Sequence, residues 1–403
     1  MKHFLWIFLL LPSALPSSAQ SLTLNQGGIS ATNYYEELPY ETLNGKLFVY
    51  VELAGKKYKF LFDTGAPVMV SKELADILAA PVLHKEMLTD AYGGKDSTLI
   101  VRIDSIRVGK LVFNGIPAID GTPGFYKCWN VEGVLGSNIF RNSIVCIDPA
   151  RHLIVVTDQL DRLPLKDKKG IPLITDIGEQ SDPKIKIRFG KNVDAVFGFD
   201  TGDAEFLRIP EEYMNRFKEA GLCDIVWKGY GSHEFGMTGA SRAADKYLLK
   251  FPALTVCNSS FKNALVETDK QASAAIGARL LDYGSVTLDF LHKKFYFNAI
   301  DSARATDPAN ATPARAIDVY EKQWPFQPSI DGDQLVIGVV WDNAFSKEIR
   351  PGEQIMAVND IDVGHIDFCD ILTKKPLLAG KDQAIITIKD ELGNIKKLQI
   401  SKQ

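Results

Sequence analysis

Two aspartates interrupt runs of apolar residues: FLFDTGAPVMV around Asp63 and VFGFDTGDAEFLRI around Asp200. A carboxylate in such a setting is costly unless it is hydrogen-bonded, shared with a partner or put to use. Each opens an Asp-Thr-Gly triplet, and one such triplet reads most simply as a β-turn in which the aspartate bonds its own backbone. Two in matching contexts suggest more. If the loops face one another, both carboxyls cannot ionise cheaply, so one keeps a proton while the other is charged. The charged member can take a proton from a water held between them as that water attacks a peptide carbonyl. The protonated member can donate to the developing oxyanion. The pair then titrates as a unit. Gly65 and Gly202 allow close backbone approach and unusual dihedrals, and the hydroxyls of Thr64 and Thr201 can hydrogen-bond across an axis.

Such loops need two similar scaffolds to hold them, and the chain repeats. GVLGSNIFRNSIVCIDPARHLIVV (133–156) aligns without a gap on AAIGARLLDYGSVTLDFLHKKFYF (274–297), pairing Gly136 with Gly277 and Asp148 with Asp289. Each triplet follows a β-rich lead-in and precedes a helical segment, with Ser71 as N-cap of KELADILAA and Pro210 in the first turn of EEYMNRFKEAGL. A Tyr-Gly turn comes 29 and 30 residues after the two aspartates, in AYGGKD at Tyr92 and GYGSHE at Tyr230. The repeat predicts two copies of one β-rich unit of domain size. A closed two-fold contact between them would bring the triplets together, as an internal pseudo-dimer in a monomeric chain.

The double Asp-Thr-Gly, the hydrophobic-hydrophobic-Gly segments Val134-Leu135-Gly136 and Ala275-Ile276-Gly277, and the Tyr-Gly turns resemble the aspartic proteases of the pepsin and retropepsin type over about residues 40 to 300. The short lobes and the Asp-Thr-Gly-Ala form at Ala66 are closer to a duplicated retropepsin half-domain. The resemblance implies a mostly β, bilobal pair of barrel lobes, with Asp63 and Asp200 as the catalytic dyad of a peptide hydrolase. It also implies flaps from Tyr92-Gly93-Gly94 and Tyr230-Gly231 closing on an extended polypeptide substrate. An ordinary hairpin tip with a surface tyrosine is the plainer reading of each flap. The chain departs from the pattern at Asp203, where a small residue is usual. Pointing inward, this third carboxylate would raise the dyad's apparent pKa values by repulsion; pointing to solvent, it would change little. A non-catalytic protein that keeps the fold and still binds peptides is the alternative.

Composition sets the wider frame. With 403 residues, 46% hydrophobic and 24% charged side chains, the chain is globular and long enough for two or three domains. A net charge of −4 without runs of like charge draws it neither to nucleic acid nor to an anionic membrane. The start, MKHFLWIFLLLPSALPSSAQS, has a basic residue, eight apolar residues from Phe4 to Leu11 and small residues at Ser17 and Ala19. It reads as a signal peptide over 1–19, and the apolar stretch is too short for a transmembrane anchor. Export to a periplasm-like space or secretion is the expectation. The five cysteines form no C-x-x-C pair and the six histidines no H-E-x-x-H, so neither metal nor cofactor is implied. Cys128 could pair with Cys146 and Cys223 with Cys257, or the cysteines could be reduced core residues.

Lobes are expected over 20–160 and 161–300, and residues 301–318, rich in Ala, Thr, Pro and Asp, read as a linker. In 319–403 we expect a strand at 335–340, a Pro351-Gly352 turn and a hairpin around Gly393-Asn394. The run IRPGEQIMAVN (349–359) looks like the PDZ pattern of a Gly-Glu turn leading into a strand that ends in Asn. That resemblance implies a small β/α domain able to add an extended peptide to a sheet edge. The family's Gly-Leu-Gly-Phe carboxylate loop is not visible before Leu335. A small β-rich domain that only packs on the lobes is the alternative.

Overall fold

The computed structural model describes residues 23–403 apart from 91, 167–168, 176–179, 238, 271–272, 301–315 and 344. The expected signal peptide and most of the expected linker lie outside the described residues. The chain is mostly β, and its first two units repeat element by element. In the first, the antiparallel strands Lys46–Leu53 and Lys56–Phe62 run into the Asp63 triplet. In the second, Pro183–Phe189 and Val193–Asp200 run into the Asp200 triplet. Period-two alternation drives this pairing: in Pro183–Phe189, Ile185, Ile187 and Phe189 are buried while Lys186 and Arg188 face water.

Each triplet is clamped by the same three-strand device. Gly133–Leu135 runs parallel to the strand entering Asp63 and antiparallel to Met69–Val70. Ala275–Gly277 does the same beside the strand entering Asp200 and Leu207–Pro210. The helices fall where expected. Ser71 caps Lys72–Ile77, its hydroxyl accepting from Leu74 N at 3.1 Å. Pro210 stands one residue earlier than expected, as the N-cap of Glu211–Glu219 rather than inside its first turn.

The closing hairpins of the two units join. Ile144–Asp148 pairs antiparallel with Gly284–Asp289 at the centre of a sheet of six described strands, so the lobes share backbone hydrogen bonds as well as apolar surface. One contiguous core unites them, with fully buried Phe62, Phe140, Phe199 and Phe261 among its large members.

The third unit has its own core around Phe326, Ile337, Ile355, Ile386 and Ile400. Strand Gln334–Trp341 covers the expected 335–340, and Gln383–Lys389 pairs with Ile395–Ser401 around a turn where Gly393 takes φ +85°. Two findings tie this unit to the lobes. Gln334–Trp341 extends the second lobe's sheet by pairing with Asp224–Gly231, which covers Trp341 against Leu248 and Trp227. The single disulfide among the described residues joins Cys128 to Cys369, 241 residues apart. This corrects the two pairings open from the sequence, Cys128 with Cys146 and Cys223 with Cys257: Cys146 and Cys223 are buried free thiols. The last residues of the expected linker are structured, Ile317–Asp318 pairing in parallel with Phe261 and Lys262. Among the described residues no helix is long and apolar enough to cross a membrane.

Candidate active site

The two triplets meet at the lobe interface. Thr64 Oγ1 donates to Phe199 O at 2.7 Å and accepts from Thr201 N at 3.0 Å. Thr201 Oγ1 donates to Phe62 O at 2.9 Å and accepts from Thr64 N at 3.0 Å. These four reciprocal bonds are buried, with Thr201 at 0% exposure, so each loop's backbone is satisfied by the other lobe. The glycines have a different task from the unusual dihedral expected of them, since neither takes positive φ. A β-carbon on Gly65 would lie 2.5 Å from Asp200 Cγ, and one on Gly202 would lie 2.3 Å from Asp63 Oδ2. Glycine is required because each loop passes directly under the opposite carboxyl.

Asp63 and Asp200 face one another, each lying over the other lobe's glycine, closely enough for each to act on the other's titration. Within its loop each also accepts from the glycine two residues on, at 2.9 Å from Gly65 N and 2.8 Å from Gly202 N. Burial, then the Asp200 charge, pushes the Asp63 carboxyl up to about 8, against the opposing pull of Lys46. Burial also raises Asp200, which Arg208 and Lys46 pull down and Asp203 pushes up. The two carboxyls titrate as a coupled pair, and Arg208, on the Asp200 side, favours the charged form there. Two neutralising cations are thus built into the site, neither singled out from the sequence. Lys46 donates to Gly202 O, and Arg208 reaches both Asp203 and Asp200.

Asp203 is the inward case weighed from the sequence and pushes Asp200 up, but it brings a counter-ion that the sequence did not single out. Its side chain is 8% exposed and ion-paired to Arg208 at 3.1 Å, so it is an inward carboxylate with its own counter-ion. Ala66 packs in the apolar cluster behind the first triplet with Phe48, Tyr126 and Trp129. Tyr126, from the short 3-10 helix Gly124–Trp129, is near enough for both dyad charges to raise its hydroxyl's pKa further above the level set by burial.

The first flap is the hairpin of Val82–Thr89 and Lys95–Val108, with Tyr92, Gly93 and Gly94 at its tip. Asp90 organises that tip by accepting from Tyr92 N and Gly94 N at 3.0 and 2.8 Å. Tyr92 crosses to the second lobe, where its hydroxyl accepts from Arg208 at 3.3 Å. The second flap differs from the expectation. Tyr230 and Gly231 lie in strand Asp224–Gly231, paired with Val340 and Val339 of the C-terminal unit, and are not at a tip. The tip is further on, between Phe235–Gly236 and Gly239–Ala240, where a β-carbon on Gly236 would lie 2.4 Å from Asp90 Oδ2. The Tyr-Gly spacing pointed to the stem because the chain goes on past Tyr230 to the short pairing of Phe235–Gly236 with Gly239–Ala240.

The stem of this hairpin holds a half-buried ion cluster around Lys246. Lys246, fully buried, contacts Glu234, and His233 Nε2 is 3.0 Å from Glu267 Oε1. Burial alone would lower His233, but Glu267 and Glu234 outweigh it and push it up to about 9. Glu234 is pulled down to about 2 by His233 and Lys246 against the effect of burial. His233, Glu234 and Glu267 have metal-ligand spacing, and Lys246 is paired with both of the carboxylates.

Residues 49–139 match a family model described as aspartyl protease, a span that contains Asp63, the first flap and Val134-Leu135-Gly136. No curated protein matches. Among solved structures, a basic 7S globulin from soybean is similar at 12% identity and TM-score 0.39, covering 68% of this chain and 96% of that one. An aspartic proteinase from Irpex lacteus is similar at 14% identity and TM-score 0.39, covering 68% and 99%. A third, conglutin gamma from lupine seeds, has 11% identity and TM-score 0.38, covering 67% and 97%.

Proposed function

We propose that the protein is an exported aspartic endopeptidase that hydrolyses polypeptide through a water activated between Asp63 and Asp200. The observation that carries this reading is the pair of facing aspartates, locked across the lobe interface by the four reciprocal threonine bonds. Asp200 acts as the base toward the attacking water, and Asp63 donates to the carbonyl oxygen as it becomes tetrahedral. No covalent intermediate forms. The C-terminal unit acts as a PDZ-like domain that recruits or orients the substrate, a role supported by its backbone pairing to the stem of the second flap. The leader over 1–19 directs the chain to a periplasm-like space or to secretion.

The test is incubation of purified protein with an unfolded polypeptide from pH 3 to 8. Cleavage that is lost in both Asp63→Asn and Asp200→Asn, and blocked by a statine-type transition-state mimic, supports the reading. Equal cleavage by those variants and wild type overturns it. A second reading, a peptide-binding protein without turnover, is favoured by the closed cleft, where flap tips touch and Tyr92 is docked on Arg208. It predicts saturable peptide binding that survives Asp63→Asn and no cleavage by wild type at any pH.

A further inference from the structure

The two lobes hold their triplets with the same strand device but differ in the side chains that it carries. The repeat that aligns Gly136 with Gly277 also aligns Val134 with Ala275. Met69 is the register partner of Val134, and Arg208 is the register partner of Ala275. The same strand position therefore holds a buried thioether in the first lobe and a guanidinium in the second. The neighbouring departure is at Asp203, which occupies the position of Ala66 in the first triplet. The two departures are one feature, because Arg208 Nη1 lies 3.1 Å from Asp203 Oδ2.

The remaining donors of Arg208 are all engaged. Nε donates to Ser273 O at 3.1 Å, and Nη2 is 3.4 Å from Ser273 Oγ and 3.7 Å from Asp200 Oδ2. Its guanidinium carbon sits 5.3 Å from the centre of the Tyr92 ring, whose hydroxyl accepts from Nη1. A planar five-donor group is what such a junction requires; an ammonium could not serve three directions in one plane. One side chain on the second lobe thus touches a catalytic carboxylate, the extra carboxylate beside it and the first lobe's flap.

We propose that Arg208 is a positioning residue confined to one lobe: it neutralises Asp203, holds Asp200 as the charged member of the dyad and docks Tyr92, linking flap closure to the dyad's charge state. This rests on the dyad reading above. Other charged or titratable groups face Asp200 as well: Asp203 beside it, Asp63 across the axis, Lys46 at the start of Lys46–Leu53 and Tyr126 on the 3-10 helix, while Tyr92 faces Arg208 and Asp203. Among the described residues only Arg208 contacts Asp203, Asp200 and Tyr92 together. The pull on Asp200 follows its sign: a cation within about 4–6 Å favours the ionised carboxylate by about 1–3 pH units.

The test compares Arg208→Met, which copies the first lobe, with Asp203→Ala, the double variant, Arg208→Lys and Tyr92→Phe. The readout is the pH dependence of kcat/KM on an unfolded polypeptide. Arg208→Met is expected to move the acid limb upward by about one unit or more, a tenfold loss on the acid flank. Asp203→Ala moves it downward, and the double variant returns it toward wild type. Arg208→Lys keeps most of the limb's position, while Tyr92→Phe raises KM and leaves the limb in place. A stationary limb in Arg208→Met with an unchanged circular dichroism spectrum overturns the inference. So does a double variant no closer to wild type than Arg208→Met. Should wild type cleave nothing, the endopeptidase reading fails by itself. The Asp200 carboxyl ¹³C titration, assigned with Asp200→Asn, then decides the inference in the same variants by the same directions.

Discussion

Replacing Asp63 by Asn should abolish cleavage and make the protein more stable at neutral pH. In the folded chain its carboxyl is raised to about 8 by burial and by the neighbouring Asp200, whereas in the unfolded chain it titrates near about 4. The folded state then binds the extra proton between these values, so stability falls as pH rises through that window. At pH 7 the window has been crossed by about three units, which at about 1.4 kcal/mol per unit is about 4 kcal/mol. Water in the cleft screens the pair and brings the expected gain for Asp63→Asn to about 2–4 kcal/mol at pH 7. Asn keeps the acceptor for Gly65 N and can donate to Asp200, so no new unpaired group arises. Urea unfolding at pH 4, 5.5 and 7 measures the effect. The variant should match wild type near pH 4 and exceed it progressively above. No gain at pH 7 would mean that the carboxyls do not share a buried site. An equal gain at both ends would mean a packing effect, refuting proton linkage.

Thr64→Val should cost about 2–6 kcal/mol, since it leaves Phe199 O and Thr201 N buried without partners. Thr64→Ser keeps the hydroxyl and should lose no more than about 1 kcal/mol; equal urea midpoints for the two would refute the cross-lobe bonds. Cys369→Ser removes a cross-link closing a 241-residue separation, a constraint on the unfolded chain of about 5 kcal/mol in the loop-entropy picture. It should raise hydrogen exchange in Gly124–Trp129 and Phe368–Thr373 together, and unchanged exchange would show that packing alone holds them. Lys246→Met strands Glu234 and Glu267 with one cation and should cost about 3–5 kcal/mol. A thermal midpoint at the wild-type value would contradict that.

Asp63 and Asp200, their threonines and glycines, the helix cap at Ser71 and the hairpin at Gly393 were legible because each is a local pattern, and the pattern around the triplets occurs twice. The second flap tip was not. Its Tyr-Gly spacing matched the first flap, but the chain goes on past Tyr230 to the short pairing of Phe235–Gly236 with Gly239–Ala240. Arg208 carried one faint signal, a lone cation in FLRIP where the first copy reads VMV. Lys46 carried none, since a lysine at a strand's start is ordinarily a solvated end.

From the chain alone came the two-copy architecture, the identity of the facing carboxyls and the chemistry open to them, because repetition and residue type are one-dimensional properties. Tertiary structure decided what surrounds that pair. Asp203 is an inward group with its own counter-ion, Cys128 of the first lobe is joined to Cys369 of the C-terminal unit, and one hairpin crosses to Arg208 while the other is stitched to the C-terminal sheet. Charge balance, disulfide partnership and flap docking depend on distances between residues far apart in sequence. Only the packing of three folded units sets those distances.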